Sequence, residues 1–209
     1  MRKLLYLGGG TLVALGLTVL ALGTAWSGPT PAARSITVPS TVKTTPPPRP
    51  RNVALPLTSY SGAARIIIPA AGVDAPVMPV TSDLARHYVQ VPPLADRNLT
   101  GWISTTAAPG TLGASVIIGH LDNQQGPAVF WNLRYLQKGQ LITVVRLDHR
   151  KVIYAVDGIQ IIPKNRFPWI AVFTARYPAL RLVTCGGAFD PADGHYLDNV
   201  IVWAHLVQI

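Results

Sequence analysis

Hydrophobic positions fall into three regimes along the chain. Residues 4–22, LLYLGGGTLVALGLTVLAL, form an apolar run without one charge. Residues 28–56 hold eight prolines and few apolar clusters. From Ser61 onward, short apolar runs alternate with breaks rich in Pro, Gly and Asp. The third regime predicts strands at Arg65–Pro69, Ala75–Val80, Ser115–Gly119, Gln140–Leu147, Lys151–Ile162, Leu180–Cys185 and Asn199–Val207. Asp148-His149-Arg150 separates two of them as a hairpin turn. Only Ala128–Leu136 and Ile170–Arg176 read as helical, and both are short. Most gaps between strands are too short for crossover helices. The expected fold class is therefore mostly β: a closed or nearly closed β-barrel with short helices in its loops.

The first two regimes set the expected domain organisation. As a helix, 19 residues span roughly 28 Å, about the hydrocarbon thickness of a bilayer. Arg2 and Lys3 precede the run, and Tyr6 and Trp26 sit near its ends, where amphipathic rings prefer the interface. The run exceeds the apolar core of an ordinary signal peptide, and no clean A-x-A follows it directly. Residues 1–3 are thus expected as a cytoplasmic tip and 4–26 as an uncleaved transmembrane signal anchor, a cleaved signal peptide being the alternative. Residues 27–60 are expected as a Pro-rich extracytoplasmic linker, extended and semi-rigid. Residues 61–209 form the exported domain. The expected location is the cell membrane, single-pass, with the N-terminus cytoplasmic and the domain outside.

Charge adds one exclusion. The net charge is +9, yet residues 1–60 carry six basic groups and no acid. Residues 61–209 carry twelve basic groups and nine Asp, and Glu is absent from the chain. A basic segment beside a membrane explains that asymmetry, and no nucleic-acid partner is expected. The Asp residues are scattered and Cys185 is the single cysteine, so neither an intramolecular disulfide, a metal nor a cofactor is called for, and an intermolecular disulfide stays one reading of Cys185.

Cys185 ends an apolar strand and precedes Gly186-Gly187, which allow close approach and unusual dihedrals. A reactive thiol and a buried, inert one are both consistent with that position. A thiol needs a base or cation beside it to react near neutral pH, most often His. Among the five histidines His120 is the leading candidate, because it follows the apolar run VIIG at a strand end. A satisfied structural His is the alternative, and His195 is the reserve. Asp122, two residues on, is either a group that orients His120 or an ordinary loop acid.

VIIGHLD, GPAVFWNLRYLQKGQ, LRLVTCGGAFD and DNVIVWA, in that order, resemble a sortase, and most of all the class F type of actinobacteria. RIIIPAAGVDAPVMPV and PGTLGASVIIGH are similar to that family's opening strands and to the loop before its His. The resemblance covers about residues 63–207. It implies a barrel of about eight strands and a cysteine transpeptidase. Such an enzyme cuts an LPxTG-like sorting signal of surface proteins between Thr and Gly and passes the acyl group to a cell-wall amine, on lipid II or a peptidoglycan stem.

By the same resemblance Cys185 is the nucleophile, His120 the proton donor to the leaving amine, and Thr184 a substrate contact. The family also places an Arg early in the last strand, where it binds the substrate backbone and the oxyanion. No Arg or Lys follows Cys185 here; aligning the last strand on VIVWA puts Asn199 in the Arg position, whereas counting from Cys185 falls near Leu197. Either Asn199 does that work without a charge, or an Arg from another element (Arg134, Arg166, Arg176 or Arg181) reaches in. Phe167, Trp169 and Phe173 fall in a loop-helix near the family's groove, but their spacing equally suits a core. Two other classes stay open: a degenerate, non-catalytic sortase-like module, and another cell-wall thiol peptidase. Against the latter, an L,D-transpeptidase has S-x-G-C-x-R around its Cys, whereas this chain has V-T-C-G-G.

Overall fold

The computed structural model describes residues 45–209. The expected cytoplasmic tip, the anchor at 4–26 and the start of the linker lie outside the described residues. Among the described residues no helix is long and apolar enough to cross a membrane.

Eight strands close into a barrel: β1 (Ala63–Ile68), β2 (Val73–Val80), β3 (Thr100–Ile103), β4 (Gly113–Gly119), β5 (Leu141–Arg146), β6 (Lys151–Pro163), β7 (Pro178–Asp190) and β8 (His195–Gln208). Around the barrel the order is β1-β2-β3-β4-β7-β8-β6-β5, with β5 closing on β1. A closed barrel leaves no unpaired edge. Strand β3 (TGWI) is absent from the sequence-predicted set. It has only four residues, one of them Gly, and all four are buried, so no alternation marks it.

Burial follows the pattern of each strand. Strands β5 and β6 alternate because one face meets solvent. The unbroken runs in β4 and β7 are buried on both faces. Their inner side chains, such as Ile117, Leu180 and Leu182, fill the barrel with Ile66, Tyr154 and Val202. Their outer side chains, Val116, Ile118 and Val183, join Val80, Ile103 and Trp203 in a second core outside the wall. The helix α1 (Trp169–Phe173) covers that second core through Val172 and Phe173.

Two pairs in the barrel are parallel, β2 with β3 and β4 with β7. Parallel neighbours need long connections. Residues 81–99 supply the first as irregular chain with a two-stranded ribbon (Ser82–Asp83 with Tyr88–Val89) in place of a helix. The β5–β6 hairpin lies inside the second. Its turn is at the expected place, with His149 in the left-handed region at φ 64°. The helix expected at 128–136 shrinks to a 3-10 turn at Leu133–Tyr135, and that at 170–176 to the five residues of α1.

Residues 54–60, within the span that composition assigns to the linker, lie against the barrel. The Ala54 amide donates to the Leu206 carbonyl (2.9 Å) and Leu57 to Gly110 (2.8 Å). Buried Arg146 donates to the carbonyls of Ser59 (2.9 Å) and Pro109, and its Nη2 meets Asp148 at 2.9 Å.

Candidate active site

Cys185 and His120 line one groove of about 440 Å³. The parallel register explains how 65 residues of separation disappear. Gly113 pairs with Pro178 and the ladder continues to Ile118 with Val183. His120, the first residue after β4, and Cys185 each follow that last pair by two residues, and both reach the same groove. Cys185 shares its strand face with Arg181 and Val183, so its sulfur belongs to the outer wall, where the second core opens into the groove. The thiol is half-buried and free.

The glycines after it have separate reasons. Gly187 has φ 76°, and a Cβ there would overlap the Asp198 carboxylate. At Gly186 a Cβ would lie 2.6 Å from the Val200 side chain. The register slips between Gly186 and Phe189, as a bulge does.

Asn199 is the direct cross-strand partner of Cys185 and also lines the groove. Opposed residues in a ladder point to the same face, so the carboxamide stands beside the thiol. Its side chain has no protein partner among the described residues. Thr184 lines the groove too; it is buried, and its Oγ1 has no partner.

Arg181 does not reach in. Its guanidinium is buried over the Trp203 ring (4.4 Å) and donates to the Leu180 and Ala204 carbonyls and the Tyr177 hydroxyl. Burial lowers its pKa. Arg134 stacks on Trp131 at 4.6 Å, and neither arginine lines the groove.

His120 Nε2 lies 2.7 Å from the Pro92 carbonyl oxygen. Asp122 holds no bond to His120. It accepts from the Tyr196 hydroxyl at 2.5 Å, which ties the chain after His120 to β8. Burial, then the Asp122 carboxylate, pushes the Tyr196 phenol up to about 12. The other histidines lie elsewhere. His195 is exposed, with Nδ1 at 3.2 Å from the Asp193 carbonyl. His205 pairs with Asp157 at 2.7 Å, and His149 occupies the hairpin turn.

The rest of the lining is mostly apolar, with Lys164 its one cation among the described residues. Val89 and Val91 come from the β2–β3 crossover; Phe167, Trp169 and Phe173 come from the β6–β7 connection. The two segments meet where His87 stacks on Trp169, with ring centroids 4.7 Å apart. Residue spacing leaves those aromatics undecided between core and groove, and the structure makes them both: Phe167 and Phe173 pack on the second core and also line the groove. Pro92 was missed by sequence reasoning altogether; its one signal is the Pro92-Pro93 pair, which stiffens that loop.

The arrangement is a half-buried thiol that shares a mostly apolar groove with an imidazole and a carboxamide. It suits nucleophilic catalysis by the thiol on a substrate with apolar groups.

A model of the sortase domain matches residues 66–207. No curated protein matches the chain. Among solved structures it is similar to a lid mutant of sortase A from Corynebacterium diphtheriae (20% identity, TM-score 0.53, covering 73% of each chain). It is also similar to sortase C-1 from Actinomyces oris (22%, TM-score 0.51, 69% of this chain and 73% of that one). A sortase D5 transpeptidase from Clostridium perfringens shares 25% identity at TM-score 0.50, over 69% of this chain and 78% of that one.

Proposed function

Because this chain belongs to the sortase family of cysteine transpeptidases, we propose that it cleaves an LPxTG-like sorting signal and transfers the acyl group to a cell-wall amine. Cys185 attacks the scissile carbonyl. His120 protonates the leaving amine as the C–N bond breaks, leaving a thioacyl enzyme. An incoming amine then attacks that carbonyl, gives a proton to His120 and expels the Cys185 thiolate. Asn199 donates from its carboxamide to the oxyanion or the substrate backbone, in place of the family's Arg. Thr184 offers its unpartnered hydroxyl to the peptide. The apolar wall takes the Leu-Pro portion of the signal.

The class is F, the actinobacterial type, on the sequence segments that carry that likeness. The chain is anchored by residues 4–26, with the barrel outside the cell, where both sorting signals and lipid II or peptidoglycan stems are met. The observation that carries the reading is the shared groove: the chain's one cysteine and His120 both line it.

The test is mass spectrometry of an LPxTG peptide incubated with the protein and triglycine. The expected products are the Gly-terminated fragment and the triglycine adduct. Cys185→Ala and His120→Ala are each expected to abolish both products with an unchanged circular dichroism spectrum. Turnover surviving in either variant would overturn the assignment.

A further inference from the structure

The Pro92 carbonyl, outside the sortase motifs, is the group in hydrogen-bond contact with the His120 ring (2.7 Å). A peptide carbonyl oxygen accepts and never donates. His120 Nε2 therefore carries hydrogen in the neutral ring as well as in the imidazolium. We propose that Pro92 is a positioning residue: its carbonyl fixes the tautomer and the ring plane of His120, so that Nδ1 is the atom that exchanges protons with the leaving and incoming amines. This rests on the assignment of His120 as proton carrier and adds which nitrogen does the work and what holds it. On the outward path Nδ1–H gives its proton to the departing amine nitrogen, and Nδ1 is left with its lone pair. On the return path that lone pair takes a proton from the attacking amine. Nε2–H stays on Pro92 throughout.

The surroundings make that carbonyl a fixed point. Pro92 is buried, whereas the residues from Pro93 to Asn98 are exposed. Its ring packs on Gly101 of β3, where a Cβ would lie 3.2 Å from it. The loop is pinned on both sides of the Pro92-Pro93 pair. Upstream the Gln90 amide donates to the Thr81 carbonyl at 2.9 Å. Downstream Asn123 Nδ2 donates to the Leu94 carbonyl at 2.9 Å, and Asn98 Nδ2 to the Asp74 carbonyl at 3.1 Å. Asn123 lies three residues past His120, so the chain that carries the imidazole also holds the loop that orients it. Partners of this kind on a reacting imidazole set its tautomer and orientation.

The test is long-range ¹H–¹⁵N NMR on the full chain labelled with [¹⁵N]His, at a pH where the rings are neutral. His120 is identified by the resonances lost in His120→Ala. The expected spectrum shows a protonated Nε2 and a bare Nδ1 as one dominant tautomer. Asn123→Ala removes the tether. Asn123→Asp keeps the acceptor that the Gln125 amide uses (2.8 Å) and loses only the donor. Both variants are expected to show averaged tautomers and a kcat for triglycine transfer about tenfold lower, with KM retained. A protonated Nδ1 or an averaged ring in the parent chain overturns the inference. So do Asn123 variants that keep a single Nε2–H tautomer and full kcat. The spectra need no turnover, so this inference can fail while Cys185 and His120 stand, and the activity assay can fail while the tautomer stands.

Discussion

Asn199 carries the largest chemical departure from the family pattern. A guanidinium beside the thiol supplies charge and several fixed donors, whereas a carboxamide supplies two donors and no charge. Opposed to Cys185 across the β7–β8 ladder, Asn199 is placed to donate to developing negative charge. Asn199→Ala is expected to lower kcat by about a hundredfold with little change in KM, the scale of losing one oxyanion donor. Steady-state kinetics on the sorting peptide check this, and an unchanged kcat would remove Asn199 from the site. Cys185 and His120 were legible in the sequence because each ends an apolar run, Asn199 only through the family resemblance, and the structure places all three on one groove. Pro92 and Tyr196 were not legible, since one acts through a backbone carbonyl and the other through a hydroxyl 74 residues from its partner.

Elements rather than residues decide what the groove admits. Part of its wall is built where the β2–β3 crossover and α1 meet at the His87–Trp169 stack. Trp169 also stacks on Phe173 (5.7 Å) and meets Phe167 edge-on (4.9 Å). Such ring contacts contribute about 0.5–1.5 kcal/mol each. Trp169 lines the groove, so Trp169→Ala is expected to raise KM for the peptide about tenfold, the equivalent of about 1.4 kcal/mol of lost contact with the substrate. The thermal midpoint should fall by a few degrees as well, because the substitution also removes those three ring contacts. A midpoint falling by more than a few degrees while KM held steady would make Trp169 a purely structural residue. Strands β5 and β6 were easy to see in the sequence because alternation marks a half-buried sheet. Strand β3 was invisible, since four buried residues have no period.

On the scale of the whole barrel, Arg146 fastens the chain before β1 to the barrel. It is fully buried and bonded to Ser59, Pro109 and Asp148. A chain beginning at Ser61 loses the Ser59 carbonyl and the Ala54 and Leu57 bonds. It is expected to melt at a lower temperature than one beginning at residue 45, as scanning calorimetry can show. The Arg146 bond, the largest cause, holds the Asp148 carboxyl below its usual pKa. A carboxylate with a depressed native pKa adds stability above its unfolded pKa, and that stability is lost as pH falls through the native value. Urea midpoints should therefore decline on acidification, and Asp148→Asn should flatten part of that decline. Identical acid limbs in the two proteins would remove Asp148 as a contributor.

The sequence by itself determined the β character through apolar periodicity, the family through the resemblance of its motifs, and Cys185 and His120 as candidates through residue type and strand-end position, all local properties that survive without coordinates. Tertiary structure decided what they touch. The parallel β4–β7 pairing ends two residues before both His120 and Cys185 and leads them into one groove, the β7–β8 ladder sets Asn199 opposite Cys185, and the β2–β3 crossover delivers the Pro92 carbonyl to the imidazole. Those relations depend on strand order and register, which pairing across the whole barrel fixes and no local pattern encodes.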